Sequence, residues 1–157
     1  YFAEHYDFWR KELNEADLSF GAFGENLTLS GLDESAVHVG DRFRIGTADL
    51  VVTEPRVPCF ELNVRFGRKD VVKRFLASGR SGVYFGVEKE GMIETGDEVH
   101  LISAHPAQVA IQTIHQLYVG KGSRSDHERA VSLEALPESW RSYFEQRGFR
   151  TQKGTGA

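Results

Sequence analysis

The spacing of hydrophobic residues along the chain changes twice, from a helical period to a strand period and back. Residues 3–16 predict an amphipathic helix whose buried face carries three large side chains, Tyr6, Trp9 and Leu13. From about residue 40 the period falls to two, which is typical of half-buried strands. We therefore predict short strands at residues 42–45, 50–53, 82–87 and 98–102.

Two of these strands begin in the same way, because Gly40-Asp41 precedes the first and Gly96-Asp97 precedes the last. The repetition of a glycine turn before an alternating strand favours a barrel built from similar hairpins. Between the strands, residues 68–76 have helical spacing, and Ser78-Gly79 is a plausible stop. Residues 1–104 therefore predict a mainly β domain with added helices, an α+β fold.

Helical spacing returns in the last third of the chain. We predict three helices there, at residues 106–118, 126–135 and 137–148. Pro106 is placed in the opening turn of the first, where a proline is tolerated. Residues 105–150 thus form a predicted three-helix module, and residues 151–157, which have no apolar pattern, a flexible tail.

Composition narrows the class of protein. With 157 residues and 40% hydrophobic residues, the chain is sized for one globular domain plus a small appendage. No apolar run approaches the roughly 20 residues of a membrane-spanning helix, and no secretory h-region is present. A formal net charge of −4 provides no strong basic field for nucleic acid. We therefore expect a cytoplasmic protein that binds neither nucleic acid nor a membrane.

The single cysteine, Cys59, excludes an intrachain disulfide framework and multi-cysteine metal sites. Pro55 and Pro58 place it in a stiff, non-helical loop. A guanidinium near a thiol favours the thiolate, so Arg56 is a candidate for activating Cys59 as a nucleophile or soft metal ligand. The alternative is a small buried core residue. The six histidines include no pair at the one-turn spacing of a helical metal site, so we interpret them as surface or core-edge residues.

Three segments, in this order, carry a more specific signal: GENLT at residues 24–28, VGDRFRIG at 39–46 and PRVPC at 55–59. Together they resemble the MOSC domain family, which takes its name from the C-terminal domain of molybdenum cofactor sulfurases. Glu4-His5-Tyr6 and Leu62-Asn63 extend the likeness. The helical region that ends in LPESW resembles the three-helix extension of the YiiM-like branch of this family.

The resemblance implies a MOSC-type β-barrel followed by a small three-helix module, with a molybdenum–pterin cofactor beside the cysteine. Cys59 is then the metal ligand or a persulfide carrier. Arg56 is implied to lie near anionic cofactor oxygens, where a bidentate fork suits phosphate or oxo groups, and to share the catalytic role. Because family members carry further strands upstream of the first helix, we expect the barrel of residues 1–104 to be incomplete at its N-terminal side.

A cofactor-binding edge is implied on the glycine turn, through an amide side chain and exposed backbone N–H groups. Its residues are Gly24, Glu25, Asn26 and Thr28. Asn63 is a further cofactor-binding candidate.

The activity implied by the resemblance is molybdenum-dependent reduction of N-hydroxylated bases such as 6-hydroxylaminopurine, a detoxification reaction. Two alternatives stay open: Cys59 as a sulfur carrier in molybdenum cofactor handling, and a non-catalytic binding module whose helical tail recruits a redox partner. The sequence has no flavin or nicotinamide fingerprint, so reduction calls for a separate electron-donor reductase. Three small helices on a small barrel are also compatible with a homodimer.

Overall fold

A four-stranded antiparallel sheet and six helices make up residues 1–149, the part of the chain that the structure, a computed structural model, describes. The strands are β1 (Arg42–Ile45), β2 (Ala48–Pro55), β3 (Val83–Lys89) and β4 (Val99–Ser103). The helices are α1 (His5–Leu13), α2 (Glu61–Arg65), α3 (Val71–Ser78), α4 (Ile111–Tyr118), α5 (Arg124–Ser132) and α6 (Glu138–Arg147). The predicted α+β class is confirmed, and the predicted tail 151–157 lies outside the described residues.

The sheet has the order β3-β2-β1-β4, and the four predicted strands are confirmed. β1 and β2 form a hairpin in which Ile45 lies opposite Ala48. Strict alternation places Phe43 and Ile45 in the core and leaves the two arginines of β1 exposed. The two strands that follow Gly-Asp turns, β1 and β4, are antiparallel neighbours.

The sheet and the C-terminal helices share one hydrophobic core. Leu50 and Val52 of β2 are buried in the same cluster as Ile111 and Ile114 of α4 and Phe144 of α6. The three-helix extension therefore packs directly on the sheet. No helix within residues 1–149 has the length and apolar character needed to cross a membrane.

The start of α4 differs from the prediction, because Pro106 lies in an exposed turn rather than in a helix. Asp41 is buried, and its Oδ1 accepts a hydrogen bond from the backbone N–H of His105 at 2.8 Å. This bond holds the segment after β4 against the turn before β1. Residues 109–111 then pair with the backbone of residues 37–39, where the Val39 N–H donates to Val109 O and the Ile111 N–H donates to Val37 O, each at 2.9 Å. The helix therefore begins only at Ile111.

A second cluster of buried side chains is distinct from the sheet core and is built largely of aromatic rings. We call it the aromatic cluster; its large rings are Tyr1, Tyr6, Trp9, Phe23 and Phe75. The predicted buried face of α1 is confirmed, since Tyr6, Trp9 and Leu13 all belong to this cluster. Tyr1 of this cluster also lines the pocket of the candidate functional site.

Candidate functional site

The glycine turn, residues 21–28, is closed around the carboxylate of Glu25. This carboxylate accepts hydrogen bonds from the Gly21 N–H at 2.9 Å, the Phe23 N–H at 3.2 Å and the Thr28 hydroxyl at 3.2 Å. The Tyr6 hydroxyl donates a further bond from α1. Gly21 has a φ of +85°, a conformation that side chains other than glycine resist. Glu25 therefore fixes the shape of the turn from within.

These hydrogen bonds also set the charge of the turn. Burial alone would raise the pKa of Glu25, but the bonds from Tyr6, Gly21 and Thr28 outweigh it and hold that pKa below its ordinary value. Burial and the neighbouring carboxylate raise the pKa of Tyr6 well above its usual range. At neutral pH the turn thus contains an ionised Glu25 and a neutral, donating Tyr6.

Arg56 connects the loop after β2 to this turn. Its Nη2 donates to the carbonyl of Phe23, its guanidinium carbon lies 5.8 Å from the ring centroid of Phe75, and its backbone N–H donates to Gly82 O at 3.3 Å. The Nη1 atom is buried and has no hydrogen-bond partner within the described residues. Buried donors are normally satisfied, so this nitrogen marks a place for an acceptor that the chain itself does not supply.

A pocket of about 400 Å³ lies where the glycine turn, Arg56 and the sheet meet. The structure brings four of the predicted site residues to its wall, namely Gly24, Glu25, Asn26 and Arg56. The opposite wall is formed by β3 and includes Val83, Tyr84 and Phe85. Thr28 contributes indirectly, because its hydroxyl is bonded to Glu25.

Cys59 is exposed and is not part of the pocket wall. The interpretation of Cys59 as a buried core residue is therefore wrong. Its carbonyl accepts the Leu62 N–H at 3.1 Å, so the thiol stands at the start of the turn that leads into α2. The Arg56 guanidinium points to Phe23 and Phe75, and activation of the thiol by this arginine stays a prediction.

Asn63 has a structural position on α2, a helix that the sequence pattern did not predict. Its Nδ2 donates to Lys69 O at 3.2 Å, and its Oδ1 accepts the Val72 N–H at 3.0 Å. Asn63 thereby joins α2 to the first turn of α3. It faces a different cavity from the one that Arg56 lines.

The sequence did not predict a buried hydrogen-bonded pair, His5 and Glu34, that contacts a residue of the pocket lining. Glu34 is 4% exposed, and its two carboxylate oxygens lie 2.8 and 3.0 Å from His5 Nε2. It also accepts the Gly82 N–H at 2.7 Å, and Gly82 lines the pocket. A Cβ on Gly82 would approach the Tyr1 ring to 2.6 Å, so only glycine fits there. No local pattern reveals this pair, since its partners lie far apart in the sequence.

The histidines do not form a metal centre in the part of the chain that the structure describes, where no group of three or more His, Cys, Asp or Glu residues could hold an ion. The Nε2 atom of His5 is hydrogen-bonded to the Glu34 carboxylate, and Nε2 of His115 donates to Leu76 O at 3.0 Å. Any metal bound through a protein thiolate would depend on Cys59, the single cysteine of the chain.

The fold and the site define an α+β protein with a pocket bordered by the glycine turn and by Arg56, whose loop also carries the exposed Cys59. The sequence profile of the MOSC domain matches residues 1–100. The chain belongs to the MOSC domain family.

Three curated relatives cover most of the chain. The chain is 40% identical over 145 residues to the "Uncharacterized protein YflK" of Bacillus subtilis and 33% identical over 147 residues to the "Protein YiiM" of Escherichia coli, covering 92% of the chain in each case. It spans 65% of the length of each of these two relatives. It is also 41% identical over 141 residues to a Gibberella moniliformis protein named "Reductase", covering 88% of the chain and 24% of that protein.

Two solved structures extend the likeness to the C-terminal helices. YiiM from Geobacillus stearothermophilus matches with a TM-score of 0.88 at 35% identity, over 94% of this chain and 75% of that one. YiiM from Escherichia coli matches with a TM-score of 0.84 at 32% identity, over 94% and 74%. The likeness to the YiiM-like branch is thereby confirmed.

Proposed function

We propose that this protein binds a molybdenum–pterin cofactor and reduces N-hydroxylated bases such as 6-hydroxylaminopurine in the cytoplasm. The observation that carries the proposal is the buried, unpartnered Nη1 of Arg56, a residue that lines the same pocket as Asn26. Family membership and the reductase-named relative support it.

The residues present suit an anionic, oxygen-rich cofactor. A guanidinium with one nitrogen already anchored on Phe23 O can offer its free N–H groups to phosphate or oxo oxygens without losing its orientation. Asn26 is exposed at the edge of the same pocket, where its amide group can both donate and accept. Because Glu25 is engaged inside the turn, its proposed role toward the cofactor is indirect.

Cys59 would supply a soft thiolate ligand to the metal. When bound, a molybdenum centre supplies the two-electron redox chemistry that reduction of an N–OH group requires. The chain's own part is to bind the cofactor through Arg56, Asn26 and Cys59 and to hold the substrate in place. The electrons would come from a separate reductase.

The test is the molybdenum content of the protein purified from a host that makes the cofactor. We expect molybdenum in the wild type, at least about tenfold less in Arg56→Gln, and none retained by Cys59→Ser. Reduction of 6-hydroxylaminopurine should fall in parallel. Arg44→Gln is the matched control, because Arg44 is an exposed arginine bonded to Asp49 on the sheet. Absence of molybdenum from the wild-type protein, or equal contents in the two arginine variants, contradicts the proposal.

A second function is favoured by the exposure of Cys59 outside the pocket wall. In this alternative the Cys59 thiolate attacks the terminal sulfur atom of a persulfide donor, the donor leaves as a thiolate, and Cys59 is left as a persulfide that carries the sulfur. The mass of the purified protein distinguishes the two functions. A gain of one sulfur atom that a thiol reductant removes, without bound molybdenum, assigns Cys59 to sulfur transfer.

A further inference from the structure

A groove between α3 and the C-terminal helices has a strongly basic lining. Its volume is about 650 Å³, and none of its described lining residues is an Asp or a Glu. Four cationic side chains line it: Lys69, Lys73, Lys121 and Arg147. In a chain with a net charge of −4, such a concentration of like charge creates a local field that favours an anion.

Asp70, the acidic residue that lies between Lys69 and Lys73 in the sequence, is already neutralised by other groups. Asp70 is bonded to Arg68 Nε at 3.0 Å and to Arg74 Nε at 2.6 Å, and Arg74 also binds Glu12. None of the four groove cations forms an ion pair with a carboxylate within residues 1–149. Their charge is therefore available to a ligand.

One wall of the groove is aromatic. The rings of Tyr118 and Tyr143 lie 5.7 Å apart at an interplanar angle of 36°, and both line the groove. The Arg147 guanidinium lies 5.5 Å from the Tyr143 centroid. The apolar side chains of Val72 and Leu76 contribute to the lining from α3. Such a surface suits a flat ring more than a bare inorganic ion.

The two sides of the groove are fixed to each other. His115 of α4 is buried, and its Nε2 donates to the carbonyl of Leu76 on α3 at 3.0 Å. Burial lowers the pKa of His115, and this effect outweighs the hydrogen bond to Leu76 O and the charge of Glu34, which both raise that pKa. The groove thus crosses the boundary between the sheet domain and the helical extension, a frequent place for ligand sites.

We propose that this groove binds a nucleotide, with the phosphates on the lysines and the base on the tyrosine wall. The groove is wide open to solvent, and its volume lies within the range of small-ligand pockets, about 300 to 1,000 Å³. The pairing of lysines with an aromatic wall favours a nucleotide over an acidic protein surface. The groove shares no lining residue with the pocket of Arg56. The assignment is therefore independent of molybdenum binding.

Titration calorimetry of the cofactor-free protein with ADP, pyrophosphate and adenosine tests this proposal. We expect ADP to bind with a Kd below about 1 mM at low salt and to weaken as salt is added. The double variant Lys73→Gln/Lys121→Gln should bind ADP at least about tenfold more weakly. Lys11→Gln/Lys89→Gln removes the same charge from exposed lysines outside the groove and should leave the Kd unchanged.

Each contrary result overturns the proposal in a different way. No binding at about 10 mM ADP excludes a nucleotide at any useful affinity. Equal weakening in both double variants shows attraction by net charge rather than a site. Pyrophosphate binding as tightly as ADP makes the groove a plain phosphate site. Binding of polyglutamate in the absence of ADP binding assigns it to an acidic protein. Circular dichroism of each variant confirms that the fold is retained.

Discussion

The two hydrophobic clusters of this molecule differ in chemistry and in what they support. The sheet core is mostly aliphatic and joins β2 to the C-terminal helices through side chains such as Val52 and Ile114. The aromatic cluster contains rings with polar edges: the Trp9 indole N–H donates to the Tyr1 hydroxyl at 2.6 Å, and that hydroxyl donates to Arg80 O at 3.1 Å. The first cluster holds layers together, whereas the second also directs hydrogen bonds.

The polar edges of the aromatic cluster reach the candidate site. Tyr6 donates to Glu25 in the glycine turn, and the backbone of Phe23 provides the carbonyl that anchors Arg56. No residue of α4, α5 or α6 lines the pocket. The sheet core does reach the pocket through Leu29 and Leu50. Stability and site geometry are therefore coupled in the aromatic cluster and separable in the part of the sheet core that the C-terminal helices contribute.

The largest expected effect comes from truncating one ring in each cluster. Phe23 is fully buried, and its ring centroid lies 5.0 to 5.9 Å from those of Tyr1, Tyr6, Trp9, Phe66 and Phe75. Phe23→Ala should lower the free energy of unfolding by about 3 to 5 kcal/mol because it leaves a cavity among these rings. Urea unfolding of the cofactor-free protein measures the change.

Phe144→Ala is the matched comparison in the sheet core, where Phe144 is 2% exposed. A loss of similar size is expected there, also about 3 to 5 kcal/mol. Only Phe23→Ala should additionally reduce the molybdenum bound per folded molecule, since only that change disturbs the carbonyl that holds Arg56. If both variants bind molybdenum equally well, the aromatic cluster has no special influence on the geometry of the site.

A smaller, pH-dependent effect is expected at Glu25. Glu25→Gln keeps the shape but loses the charge that four donors share, which should cost about 1 to 2 kcal/mol of unfolding free energy at pH 7 in this half-exposed position. The pKa of Glu25 is lowered from 4.5 in the folded protein. Ionisation of Glu25 therefore stabilises the fold fully above its ordinary pKa of 4.5. This stabilisation is lost as the pH falls through the lowered pKa of the folded protein.

Unfolding of the wild type and Glu25→Gln at a series of pH values checks this. The difference between them should be largest at neutral pH and should shrink in acid. Glu88→Gln, on the exposed face of β3 and paired with Arg42 at 2.9 Å, should show a smaller and flatter difference. A difference at Glu25 that grows as the pH falls contradicts the direction of the pKa shift.

The sequence allowed the sheet to be predicted because its strands obey a local rule. Alternation in β1 and the Gly-Asp turns are readable from neighbouring residues alone. The start of α4 could not be predicted in this way, since it depends on the backbone pairing of residues 109–111 with residues 37–39, which are distant in the sequence. α2 is only 5 residues long, too short to show a period.

The same distinction applies to the site. Gly24, Asn26 and Arg56, which the motifs mark as cofactor-binding candidates, line one pocket in the structure, and their role toward a cofactor stays a prediction. The motifs could not show that four hydrogen-bond donors converge on Glu25, since three come from the folded turn and the fourth, Tyr6, comes from a separate helix. Nor could they reveal that Cys59 is exposed, because its burial is decided by the packing of the residues around it.

The smallest expected effect is the loss of unfolding free energy when Asn63 is replaced. This effect distinguishes a structural role of Asn63 in capping α3 from a role in cofactor binding. α3 has no side-chain cap on its own N-cap residue, and Asn63 Oδ1 supplies the missing acceptor to the Val72 N–H at 3.0 Å. Asn63→Ala should therefore lower the free energy of unfolding by about 1 kcal/mol, and Asn63→Asp, which keeps the acceptor, should restore most of it. Molybdenum content should be the same in both variants, because Asn63 does not line the pocket of Arg56. A loss of molybdenum in Asn63→Ala without a change in unfolding would instead make Asn63 a cofactor ligand.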